Sequence, residues 1–138
     1  MASVVPKDTH PPLYLEPTEI YHLPLASGCP VPPILLTIAT GGAGQSGLIR
    51  AFSVAFIAQH VSRHRCEPFS IAWSASDTSM SFNSLALRGA DLSITYHPVA
   101  EEIALEQGIA DRREYAWRDH WMLVGELCNK ATAAHILP

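Results

Sequence analysis

The sequence predicts an α/β protein built on a doubly wound, mostly parallel sheet with helices on both faces. Three observations point there. Strand-like and helix-like segments alternate along the chain as β-α-β-α-β-α-β. The connections are short, with one crossover helix per strand, which favours parallel pairing. The first strand segment, 34–40 (ILLTIAT), is an almost unbroken β-rich apolar run of the kind found in strands covered on both faces.

Each element follows from its residues. After the 34–40 strand, Gly41-Gly42 breaks the run and a long helical segment spans about 46–64. Its apolar residues, among them Leu48, Ile49, Phe52, Phe56 and Val61, cover more than one stripe, so a largely buried helix is expected. Phe69, Ile71 and Trp73 alternate with Ser70, Ala72 and Ser74, a strand pattern over 69–74. Residues 79–87 fit a short helix stopped by Gly89. A third strand covers 91–96. The helix over 98–107 has Pro98 in its first turn, Glu101 and Glu102 near its positive end, and Gly108 just past its end. A last strand covers 118–124.

Upstream lies a proline-rich leader, residues 1–33, read as an extended arm with one short turn near 16–22, because proline removes backbone donors. The folded unit is 34–125, and 126–138 form a short tail of weak helical character. Apolar residues make up 48% of the 138 residues and charged residues 16%, which excludes a largely disordered chain. Nine basic residues against thirteen acidic ones give a net charge of −4, which argues against a nucleic-acid partner. No apolar run is long enough to span a bilayer. No secretory signal is visible, so the sequence as written points to the cytoplasm, with secretion the alternative if residues precede it. Cys29, Cys66 and Cys128 are widely spaced and odd in number, and are expected as thiols unless an oxidising compartment pairs two of them.

In a doubly wound sheet, ligands sit beyond the carboxyl ends of the strands. The first such loop runs Thr40-Gly41-Gly42-Ala43-Gly44-Gln45-Ser46-Gly47 and delivers a helix N-terminus, whose free N–H groups favour an anion. Gln45 and Ser46 can add donors or cap the helix. The same stretch can instead be a tight turn with no ligand. Gly42–Gly47 also matches GxGxxG, the mark of a dinucleotide site. That reading wants an acidic residue after the second strand, and Asp77 stands nearby at a longer interval than usual. The second loop, Ser74 to Ser79, is dense in hydroxyls. Asp77 or Ser79 there can equally be an ordinary N-cap. In the third, Tyr96 and His97 precede another helix. Arg118 can bind an anion or make a surface ion pair. His60 and His64 lie one helical turn apart with Cys66 close by, but no further ligand pair accompanies them, and neither HExxH nor GxSxG occurs. No metal site, cofactor or catalytic residue is therefore assigned.

TGGAGQSGLIRAFSVAFI, EPFSIAWSASDTS, ADLSITYHPVAEEIALEQGIA and YAWRDHWMLVG follow one another in an order that resembles fungal proteins of the periplasmic-binding-protein-like (class II) superfamily. Their bacterial relatives are the tungstate- and molybdate-binding components of ABC transporters. The resemblance covers roughly 34–125. It implies two α/β lobes joined by crossover strands, with an oxyanion held in the cleft by main-chain amides and hydroxyls at helix N-termini. By position it implies ligand contacts at Thr40, Gly41, Gly42, Ser46 and Gly47, at Asp77 and Thr78, at Tyr96 and His97, and more loosely at Arg118. The first loop carries Gly-Gly-Ala-Gly where the bacterial proteins are rich in threonine and serine, and the chain resembles the first lobe alone.

The expected function is therefore non-catalytic binding of a small anion or organic acid. The alternatives are a dinucleotide-binding oxidoreductase fragment, and an accessory or dimerisation protein of a biosynthetic pathway without a ligand. A lone lobe leaves apolar surface open, so a homodimer is expected.

Overall fold

In a computed structural model of the chain, which describes residues 14–41 and 47–118, seven elements follow in order. These are β1 (Glu19–Tyr21), β2 (Ile34–Thr40), α1 (Leu48–His64), β3 (Ser70–Ala75), α2 (Thr78–Ala86), β4 (Leu92–Ile94) and α3 (Pro98–Glu106). The strands form one four-stranded sheet in the order β1-β3-β2-β4. β2 pairs in parallel with both β3 and β4, and β1 adds antiparallel to β3. The sheet is therefore mixed and mostly parallel, in an α/β protein of the expected class.

From central β2 the chain crosses through α1 to β3 on one side, then back through α2 to β4 on the other. Right-handed crossovers in opposite directions place α1 and α2 on opposite faces. The register agrees. Ile38, opposite Trp73, and Leu36, opposite Ile71, share the face that packs with Ile49 and Ile57 of α1. Tyr21 and Phe69 complete that core, with Val54, Ile94 and Trp117 packed against it.

The α2 side is made of small residues. Ala39, Ala72, Ser70, Ser74, Ser81 and Ser84 are all buried. Buried hydroxyls need partners, and here each finds one close by. Ser81 and Ser84 donate back to the carbonyls of Asp77 and Met80, at 2.9 and 2.7 Å. Ser70 donates to the Pro32 carbonyl at 2.8 Å, and Ser74 to the Glu16 carbonyl at 3.2 Å.

Several expectations need correction. The segment read as an extended arm with a turn near 16–22 contributes β1. Pro17 and Pro24 bracket a proline-free stretch whose N–H groups can join the ladder, with Ile20 opposite Ala72. The helix expected to be largely buried shows water one of its apolar stripes: Phe52 is 54% and Phe56 48% exposed, while Ile49, Ser53 and Ile57 face the sheet. Only the carboxyl half of β2 is buried, because Ile34 and Leu35 precede the part of the strand that β4 flanks. Residues of β3 alternate in character as expected, but both faces are covered. α2 ends with Arg88 rather than Gly89 in the left-handed region, at φ 59°. β4 is shorter than 91–96, because Asp91 turns its carboxylate back to accept from the Thr37 N–H at 2.8 Å. The strand expected over 118–124 falls, apart from Arg118, outside the described residues, as do the 126–138 tail and Cys128. Cys29 and Cys66 are free and exposed. Among the described residues, no helix is long and apolar enough to cross a membrane.

Candidate functional site

Two of the three predicted loops meet at the carboxyl edge of the sheet. The Ser76 N–H donates to the Thr40 carbonyl at 2.8 Å, so the end of β3 is tied to the end of β2. Gly41 sits against the first residue of α2. A Cβ placed there would lie 3.4 Å from Thr78 Oγ1 and 3.5 Å from the Thr78 nitrogen. The bare glycine lets the strand end approach that helix start closely. The third loop stands beside them, because Thr40 pairs with Ile94 and the chain then runs directly into Tyr96 and His97. The switch from β2 outward to β3 and to β4 thus lies among these loops, where α/β sheets bind ligands.

The side chains there are mostly occupied with local structure. Thr40 is fully buried, and its Oγ1 accepts from Trp73 Nε1 at 2.8 Å. Asp77 is the N-cap of α2, its Oδ1 accepting from the Met80 N–H at 2.7 Å. His97 caps α3 in the same manner, its Nδ1 accepting from the Ala100 N–H at 3.2 Å, which places the neutral ring's proton on Nε2. Thr95 beside it donates to Glu101 Oε1 at 2.6 Å. Thr78 is half-buried and Tyr96 exposed.

The start of α1 differs from the starts of α2 and α3. Its N-cap is Gly47, at φ +78°, which has no side chain to offer. The first N–H groups of a helix have no intrahelical partner. At α1 the N-cap side chain that answers one of them at α2 and α3 is missing. Gly42, Gln45 and Ser46, three of the predicted contacts, lie outside the described residues. Arg118 is exposed, and no described contact brings it to the loops. Its neighbour Trp117 instead packs on Phe52 of α1, ring centres 6.0 Å apart.

Sequence reasoning missed one feature of this edge. A shallow hollow of about 340 Å³ opens between Gly47 and the start of β1, floored by Trp73 and Tyr21. Arg50, in the first turn of α1, reaches across it to Glu19, with Nη2 2.7 Å from the carboxylate. The guanidinium also lies 5.5 Å from the centre of the Tyr21 ring, which in turn stacks on Trp73. The Tyr21 hydroxyl is pushed up to about 12, first by burial, then by its hydrogen bond to Glu19 and that residue's negative charge, with Arg50 opposing. Glu19 and Tyr21 were passed over because their segment was read as an arm. Their alternation with Ile20 between two prolines was the available signal. Among the described residues, no group of three or more His, Cys, Asp or Glu could hold a metal ion.

No family model matches the chain, and comparison with curated proteins gives no match. A solved structure described as "Crystal structure of a periplasmic putative metal binding protein" is similar to it, at 42% identity and a TM-score of 0.55. The match covers 60% of this chain and 29% of that one, so the chain spans less than a third of the length of the solved protein it matches. The likeness is consistent with a periplasmic-binding-protein-like α/β fold.

Proposed function

We propose that the chain is a solute-binding lobe that takes a small oxyanion or carboxylate at the carboxyl edge of its parallel strands and carries out no chemistry on it. The observation that carries this reading is the start of α1. Gly47 opens a 17-residue helix without a capping side chain and without an acidic residue in the first turn, at the mouth of the glycine-rich loop. Free N–H groups and the positive end of the helix dipole together attract an anion. Arg50 adds a cation within the same turn.

The similar solved protein supports the reading at the level of solute binding. Its description speaks of a metal, but among the described residues no group of three or more His, Cys, Asp or Glu could hold one. An oxyanion of a metal, molybdate or tungstate, reconciles a metal-binding relative with an anion-ready loop, as the resemblance to the tungstate-binding proteins implies. That protein's periplasmic setting also favours the secreted alternative for this chain over the cytoplasmic one.

The dinucleotide reading loses support at Asp77. That carboxylate is taken up by the Met80 N–H as a helix cap and does not stand ready for a ribose. The two readings separate in one experiment. Thermal unfolding is followed with molybdate, tungstate, sulfate, phosphate and small carboxylates, and NADH fluorescence is titrated in parallel. A rise in midpoint with at least one anion, and no NADH enhancement, is the expected result. The reverse pattern overturns the proposal.

A further inference from the structure

At the far end of α1 from Gly47, His60 and His64 occupy successive turns of the same helix face. Their ring centres are 4.4 Å apart and their planes 41° from parallel. His60 is half-buried and held in place. Its ring meets Phe69 edge-on at 5.7 Å and lies 5.5 Å from the ring of Phe56. Phe69 is itself a core residue. His64 is exposed. Nothing in the fold requires these two imidazoles to touch, since the helix is anchored through Ile49 and Ile57.

We propose that His60 and His64 form a two-imidazole site for a late first-row divalent cation, Cu(II) above all. The spacing argues for it. A metal sits ~2.0–2.1 Å from an imidazole nitrogen, and the ring centre lies roughly 1 Å beyond, so two rings bound at right angles have centres roughly 4.4 Å apart. The observed 4.4 Å separation is within that reach, and a rotation of the exposed His64 ring brings both rings onto one ion. Right-angled nitrogen ligation suits Cu(II) and Ni(II), with Cu(II) bound more tightly. Phe56 and Phe69 pre-set the ring of His60, which reduces the ordering cost of binding. His64 lies in the last turn of α1, where the helix dipole favours a cation, while Arg63 and Arg65 beside it oppose one. Two protein ligands, with water completing the shell, make an exchangeable site. It is separate from the anion edge and does not depend on it.

The test uses the full chain with its thiols blocked by alkylation, since Cys29 and Cys66 are exposed. Cu(II) and Ni(II) are titrated by calorimetry, with Cu(II) electron paramagnetic resonance as a second readout. The parent should bind one equivalent saturably, with a spectrum showing two nitrogen ligands. Because the second imidazole binds intramolecularly, His64→Gln and His60→Gln should each weaken that site at least ~10-fold. His64→Gln alters an exposed residue and keeps the test interpretable should His60→Gln unfold the helix end. A parent with no saturable equivalent, or a His60→Gln/His64→Gln pair that binds like the parent, overturns the proposal.

Discussion

The indole Nε1–H of Trp73 donates to the hydroxyl of Thr40 at 2.8 Å inside the core. Thr40 is the last residue of β2, immediately before the glycine loop, and Trp73 lies on the neighbouring strand. The bond therefore fixes where the loop leaves the sheet. It also uses one acceptor site of a hydroxyl that the family resemblance would point at a ligand.

Thr40→Val should therefore act mainly on stability. Valine keeps the shape and leaves the buried indole N–H unpaired, at a cost of about 1–3 kcal/mol. The urea midpoint should fall with the slope unchanged. If the midpoint holds and only anion binding is lost, Thr40 is a ligand contact and the core bond is incidental.

Asp77→Ala removes the α2 cap and should cost about 1 kcal/mol. Anion binding should be preserved or strengthened, since a negative charge leaves the same edge. Calorimetry on the variant checks this. A variant that keeps its stability but no longer binds anions would put Asp77 in the ligand shell.

The parallel core was legible in the sequence because its periodicities are strong. β2 was placed residue for residue, and α1 and α3 to within two residues at each end. What escaped was tertiary. Nothing local says that Glu19–Tyr21 will find an antiparallel place beside β3, and a proline count obscures it. Nor does an apolar composition say which stripe of α1 meets the sheet, so Phe52 and Phe56 were expected inside. At the candidate site, the strand-end rule pointed to loops of which two meet at the carboxyl edge with the third beside them. The roles of Asp77 and His97 were left between cap and contact, and the structure makes both of them caps. A cap and an anion contact draw on the same residue types at the same position, so spacing alone cannot separate them.

Tyr21 makes the protein sensitive to alkali. Its folded value, about 12, lies above the ordinary 10.0 of an unfolded chain. Below pH 10 both states keep the proton and stability does not change on this account. Between pH 10 and 12 only the unfolded chain releases it, and the folded state loses roughly 1.4 kcal/mol per pH unit. Tyr21→Phe should remove that slope relative to the parent. Equal alkaline slopes in denaturant series of the two proteins would show that the hydroxyl is not held as described.

The central claim is tested most directly by calorimetric titration of the full chain with molybdate, tungstate, sulfate and small carboxylates, alongside Glu19→Gln. One lobe supplies only part of a ligand's shell. Two or three charge-assisted bonds of roughly 1.5–3 kcal/mol each, less the cost of association, give a Kd on the order of 0.1 mM or weaker. Glu19 competes for Arg50 through their 2.7 Å ion pair. Replacing it should therefore tighten anion binding several-fold. The account predicts saturable binding of at least one of these anions in this range, strengthened in Glu19→Gln. No detectable binding at millimolar concentrations in either protein would contradict it.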